Sequence, residues 1–147
     1  MKRQDKAIKY FNEVYNCAQS VVLSFQDVLS ADNETIVNIA SGFGGGMGRL
    51  QKTCGALTGS FMVISLYNSE NIEDESERKD LTYKLIQDLE HDFITNFGFS
   101  DCSLLTGVDL KTEEGRKELA EVHRETRICE RSISACVSWL NKHLINI

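Results

Sequence analysis

The chain has 147 residues and not one proline. Average usage of about 5% would supply roughly seven. Proline is excluded from helix interiors because it lacks the amide N–H and clashes with the preceding turn. A chain that avoids it altogether is most economically read as all-α: a single-domain bundle of about five to seven helices over residues 1–147, with one glycine-rich loop. That length suits one domain able to bury its own core without disulfide staples.

Apolar periodicity places the helices. A first one is expected over residues 3–15, with Ala7, Ile8, Phe11, Val14 and Tyr15 as its stripe. Asn16 either interrupts or caps; if it caps, a second helix runs from Cys17 to about Leu29. Asp32 or Asn33 caps a short third helix ending near Ala40. Residues 41–52 hold five glycines between positions 42 and 48 and cannot make a stable helix, each glycine costing about 1 kcal/mol against alanine. Thr53 is expected to cap a fourth helix reaching about Tyr67. A long fifth spans about 75–97, burying Leu81, Leu85, Ile86, Leu89, Phe93 and Phe97, and Gly98 stops it. Ser100 caps a short turn closed by Gly107. Thr112 opens the last helical region, with a break expected near residues 124–128.

The formal net charge is -6, from 22 acidic and 16 basic residues, which disfavours nucleic acid or an anionic membrane as partner. No apolar run approaches the ~20 residues of a membrane span, and the N-terminal residues lack a signal-peptide core. The expected compartment is the cytoplasm, where cysteines serve metals or redox chemistry more often than structure.

Five cysteines are present, none within CxxC distance of another. Cys17, Cys54, Cys102 and Cys129 all fall near expected helix starts. Unpaired N–H groups and the helix dipole stabilise an anion there, so a thiol can fall from pKa about 8.5 to roughly 3.5–7.5. The alternative is that they are small core hydrophobes. Gly55 and Gly59 share a helix face and leave room for either a cofactor or a tightly packed helix. Arg49 ends the glycine run and can hold an anion, but the run has no GxxxxGK[ST] lysine, no GxGxxG register and no preceding strand, so a structural turn is the better reading. His91, His123 and His143 have no metal-motif context and read as surface or capping residues.

The order Cys17, Gly-Phe-Gly-Gly-Gly-Met-Gly-Arg (42–49), Cys54-Gly-Ala-Leu-Thr-Gly59, Cys102-Ser-Leu-Leu-Thr-Gly107 and Cys129 resembles the C_GCAxxG_C_C family of small bacterial and archaeal redox-active proteins. The resemblance runs from Asn16 to the last helix. It implies that Cys17, Cys54, Cys102 and Cys129 are the family cysteines and Cys136 is additional. Members often carry a proline just after the last cysteine; Glu130 stands there instead.

Three functions follow as expectations. In the first, cysteine pairs cycle between dithiol and disulfide with an oxidoreductase or electron-transfer partner, Cys54 or Cys17 attacking and a spatial neighbour resolving. In the second, Cys17, Cys54, Cys102 and Cys129 bind an iron–sulfur cluster or Zn²⁺. In the third, the chain is a helical interaction module, with a homodimer as one form, whose cysteines are only core. All three turn on whether the four sulfurs converge.

Overall fold

The structure, a computed structural model, describes residues 1–145. It is all-α: eight helices and no strand among the described residues, slightly more helices than the sequence predicts. They are α1 (Arg3–Asn12), α2 (Cys17–Leu23), α3 (Asn33–Ala40), α4 (Gly55–Asn71), α5 (Glu75–Phe97), α6 (Cys102–Thr106), α7 (Glu113–Thr126) and α8 (Ile128–Leu140), with a π-helical turn over Asn141–Ile145. No described helix is long and apolar enough to cross a membrane.

The centre of the fold is α2 packed on α4. Asn16 starts α2 with a reciprocal capping box: its side-chain oxygen accepts from the Gln19 amide at 2.9 Å, and the Gln19 side chain accepts from the Asn16 amide at 3.1 Å. Such a cap is worth about 1 kcal/mol. The Asn16 side-chain amide also donates to the Ser41 carbonyl at 3.0 Å, fixing the end of α3 against the start of α2. On α4, Gly55 through Ser60 are all buried. A Cβ added at Gly59 would stand 2.6 Å from the Ala18 carbonyl oxygen, so the shared glycine face serves helix-on-helix contact. Val21, Phe25, Leu57, Ile64, Leu89, Phe93, Ile133, Val137 and Leu140 join in one core, which α1 and α8 close by packing on each other.

Several boundaries differ from the sequence reading. Helix α1 stops at Asn12, because Asn16 needs an extended backbone to cap α2; Val14 is consequently 82% exposed. Helix α2 ends at Leu23 and three-residue turns carry the chain on to Val28, which still buries Phe25 and Leu29. Thr53 does not cap α4. It lies opposite Asp101 in an isolated antiparallel bridge, Cys54 takes the N-cap position without a side-chain bond, and α4 runs on to Asn71. Ser100 is likewise no cap, since Asp101 occupies that position before α6. Leu81 faces outward. The expected break falls at Arg127, whose left-handed backbone (φ 49°) turns α7 into α8 without a proline.

Candidate functional site

The bridge between Thr53 and Asp101 is the local device that brings two cysteines together. The Cys54 amide donates to the Ser100 carbonyl at 2.8 Å, and the Cys102 amide donates to the Lys52 carbonyl at 2.7 Å. Side chains alternate across such a ladder, so Cys54 and Cys102 both leave the face opposite Thr53 and Asp101. They are diagonal neighbours, a relation that separates strand positions by about 7–8 Å. A disulfide between them would require the bridge to shift.

The second pair comes from helix starts. Asn16 sets Cys17 as the first residue of α2, and the left-handed Arg127 sets Cys129 in the first turn of α8. Cys129 is the neighbour that acts most strongly on the Cys17 thiol. Cys17, Cys54, Cys102 and Cys129 line one cavity of about 610 Å³, together with Gly55, Arg49, Arg116, His123 and the glycine loop. The structure thus gathers four cysteines from four distant segments. Gly55 borders the cavity, where an added Cβ would stand 2.9 Å from the Cys17 Cβ, whereas Gly59 is turned to Ala18 and does not line it. Among the described residues no three Cys, His, Asp or Glu side chains stand in an arrangement that could hold a metal ion.

The glycine loop has an unusual backbone. Gly45, Gly46, Met47, Gly48 and Arg49 are five consecutive residues with φ between 60° and 67°, and Gln51 follows at 58°. The left-handed conformation costs roughly 1–2 kcal/mol for each residue bearing a Cβ. Gly46 could hardly be anything else, because an added Cβ would lie 2.7 Å from the Gln51 Cα and 2.8 Å from the Cys102 Cβ. The turn delivers Gln51 into the interior. Its side-chain nitrogen donates to the Val108 carbonyl at 2.8 Å and approaches the Cys102 sulfur at 3.9 Å, while its oxygen accepts from the Leu110 amide at 2.9 Å. Gln51 therefore orients Cys102 and ties residues 108–110 to the cavity wall. Nothing in the sequence marks it, since its partners are 51 to 59 positions away.

The thiols do not behave as helix-start positions alone would have them. The neighbouring Cys129 thiol, followed by burial, pushes Cys17 well above the usual thiol range. Burial first, then the neighbouring Cys17, pushes Cys54 up to about 12. Cys102 is also raised, mainly by burial, against the opposing hydrogen bond from Gln51. The expectation of depressed pKa values is corrected at these three positions: desolvation and crowding with other thiols exceed the pull of the backbone amides. Cys136, fully buried beside Ser60 behind the cavity, is raised by burial as well. A raised folded-state value means that the fold keeps a proton which the unfolded chain gives up near pH 8.5. Stability is therefore unaffected below that pH and falls as pH rises towards 12. Chemical denaturation at pH 7 and pH 10 should show a loss of about 2 kcal/mol for each thiol that stays protonated in the fold at pH 10, a loss reduced in Cys54→Ala, and an equal loss in wild type and Cys54→Ala would refute it.

His123, expected at the surface or at a cap, borders the cavity instead. Its ring meets Phe11 edge-on with centroids 5.8 Å apart, and its Nε2 is buried without a hydrogen-bond partner among the described residues. Burial lowers its pKa, opposed by Glu130.

Comparison with known proteins bears on the same cysteines. No solved structure matches the chain. An uncharacterized protein of Archaeoglobus fulgidus is 30% identical over 129 residues, covering 82% of this chain and 85% of the relative. The family described as "Putative redox-active protein (C_GCAxxG_C_C)" matches residues 15–143, a span that includes all four cavity cysteines. With the glycine loop and the CGALTG segment both in that span and both at the cavity, the chain belongs to the C_GCAxxG_C_C family of redox-active proteins.

Proposed function

We propose that the protein is a dithiol–disulfide redox protein whose working pair is Cys17 and Cys129. The observation that carries this reading is that Cys17 and Cys129 are interacting neighbours in the wall of one cavity. The neighbouring Cys129 thiol and burial hold Cys17 in its protonated form, so the attacking role is assigned to Cys129. Cys54, held protonated by burial, is ill suited to start the exchange.

The first attack joins Cys129 to one sulfur of a substrate disulfide and releases the other as a thiolate, which takes up a proton. With the Cys129 sulfur committed to the mixed disulfide, the chief influence holding the proton on Cys17 is gone. Cys17 then loses its proton to solvent and attacks Cys129. The protein ends as the Cys17–Cys129 disulfide, two electrons having passed to a substrate that leaves as two thiols. An oxidoreductase partner returns the two electrons.

Oxidising the reduced protein with one equivalent of a neutral disulfide, alkylating the free thiols and mapping the peptides tests this reading. The Cys17–Cys129 peptide should dominate, with Cys54, Cys102 and Cys136 alkylated. Five free thiols before and after oxidation would sink the redox function. A dominant Cys54–Cys102 peptide would move the function to the other pair.

A further inference from the structure

Two arginines border the cysteine cavity, and among the described residues no aspartate or glutamate does, although the chain has 22 acidic residues against 16 basic. Among the described residues, neither Arg49 nor Arg116 forms an ion pair; those present involve Arg3, Lys84, Lys117, Arg124 and Arg127. Arg116 is aimed by one bond, its Nη1 donating to the Leu110 carbonyl at 2.8 Å. A guanidinium has five N–H donors, so donors remain for a ligand. Arg49 lies across Gly45, its Cγ 3.0 Å from where a Cβ on Gly45 would be, so the missing side chain gives the arginine its path. A third polar group, the unpartnered His123 Nε2, borders the same space. Leaving such an atom unsatisfied is costly, and a ligand's polar group removes that cost on binding.

We infer that the cavity selects a small disulfide bearing carboxylate groups, with Arg49 and Arg116 holding the carboxylates while the sulfurs meet Cys129 and Cys17. The inference rests on the redox reading above and supplies its substrate class. A volume of about 610 Å³ suits a small molecule, falling within the ~300–1,000 Å³ typical of ligand pockets. Arginine suits the task because its planar fork meets a carboxylate with two parallel hydrogen bonds. The chemistry is the exchange already written: one substrate S–S bond breaks, one protein S–S bond forms, and two carboxylate-bearing thiols leave with the two electrons.

The test uses three symmetrical disulfides of similar size acting on the reduced full-length protein: dithiodipropionate (anionic), hydroxyethyl disulfide (neutral) and cystamine (cationic). Each rate is divided by that of the same disulfide with a small reference thiol, which removes differences in leaving group. The normalised anionic rate should exceed the neutral one by about tenfold and the cationic one by more, an effect that raised salt erodes. In the doubly substituted Arg49→Gln, Arg116→Gln protein the anionic-to-neutral ratio should fall towards one. Reaction of the wild type with the neutral disulfide and no preference for the anionic one overturns the inference and leaves the redox reading standing. So does a preference that salt and the double substitution leave untouched. Failure of all three disulfides to oxidise the protein overturns both. The salt dependence is read on the wild type, so the inference stays open to refutation even if the double variant folds poorly.

Discussion

Cys129→Ser is expected to keep its helical content and to lose reduction of a neutral disulfide by on the order of 100-fold or more, because a serine hydroxyl is not ionised at neutral pH and does not attack sulfur. Cys17→Ser should behave differently. It removes the resolving thiol and leaves the attacking one, so a single equivalent of substrate becomes trapped as a mixed disulfide on Cys129, seen as a mass increase that dithiothreitol reverses. Cys54→Ala should retain most of the rate. That ordering is diagnostic, because the helix-start argument taken alone gives the leading role to Cys54 or Cys17. A Cys54→Ala protein as inactive as Cys129→Ser would show that the attacking thiol has been assigned to the wrong residue.

The second large effect is on stability and separates two costs that glycine avoids. Gly42 has open space where a Cβ would go and no left-handed backbone, so Gly42→Ala should be neutral or slightly stabilising. Gly98 also has open space but a φ of 88°, so Gly98→Ala should cost about 1 kcal/mol through backbone strain alone. Gly46 combines φ 65° with contacts of 2.7 Å to Gln51 and 2.8 Å to Cys102, and Gly46→Ala should cost about 2–5 kcal/mol. Against a total of about 5–15 kcal/mol, such a loss lowers the melting temperature by roughly 5–20 °C. Equal melting temperatures for the alanine variants at 98 and 46 would contradict the close approach of the loop to Gln51 and Cys102.

These results also show why parts of the protein were legible beforehand. Absence of proline, the caps at Asn16, Asp32 and Thr112, and the stop at Gly98 are local chemistry, and each is where the sequence predicts. The family cysteines were legible as a set because their residues and order are distinctive. Their ionisation was not. Helix-start logic sees the nearest amides, whereas Cys17 and Cys54 respond to burial and to thiols from remote segments. The left-handed turn was visible only as flexibility, since five glycines declare what the loop cannot be without giving the sign of its dihedral angles. Arg116 and His123 reached the cavity through the turn around Gln51 and the break at Arg127, both of which depend on long-range packing. Arg49 was noted for its charge, and its route across Gly45 emerged only in three dimensions.

The packing of α1 on α8 has a consequence for how the protein is made. Cys17 leaves the ribosome early, but its partner thiol stands more than a hundred residues later, on the helix that completes the core. At about 5–20 residues per second, Cys17 waits on the order of ten seconds before Cys129 is synthesised. During that interval the nascent chain holds an unmatched thiol, and the two thiols become neighbours only when the final helix docks. On the proposed function, redox competence is acquired at the end of synthesis, and a chain truncated before α8 would carry cysteines but not the Cys17–Cys129 couple.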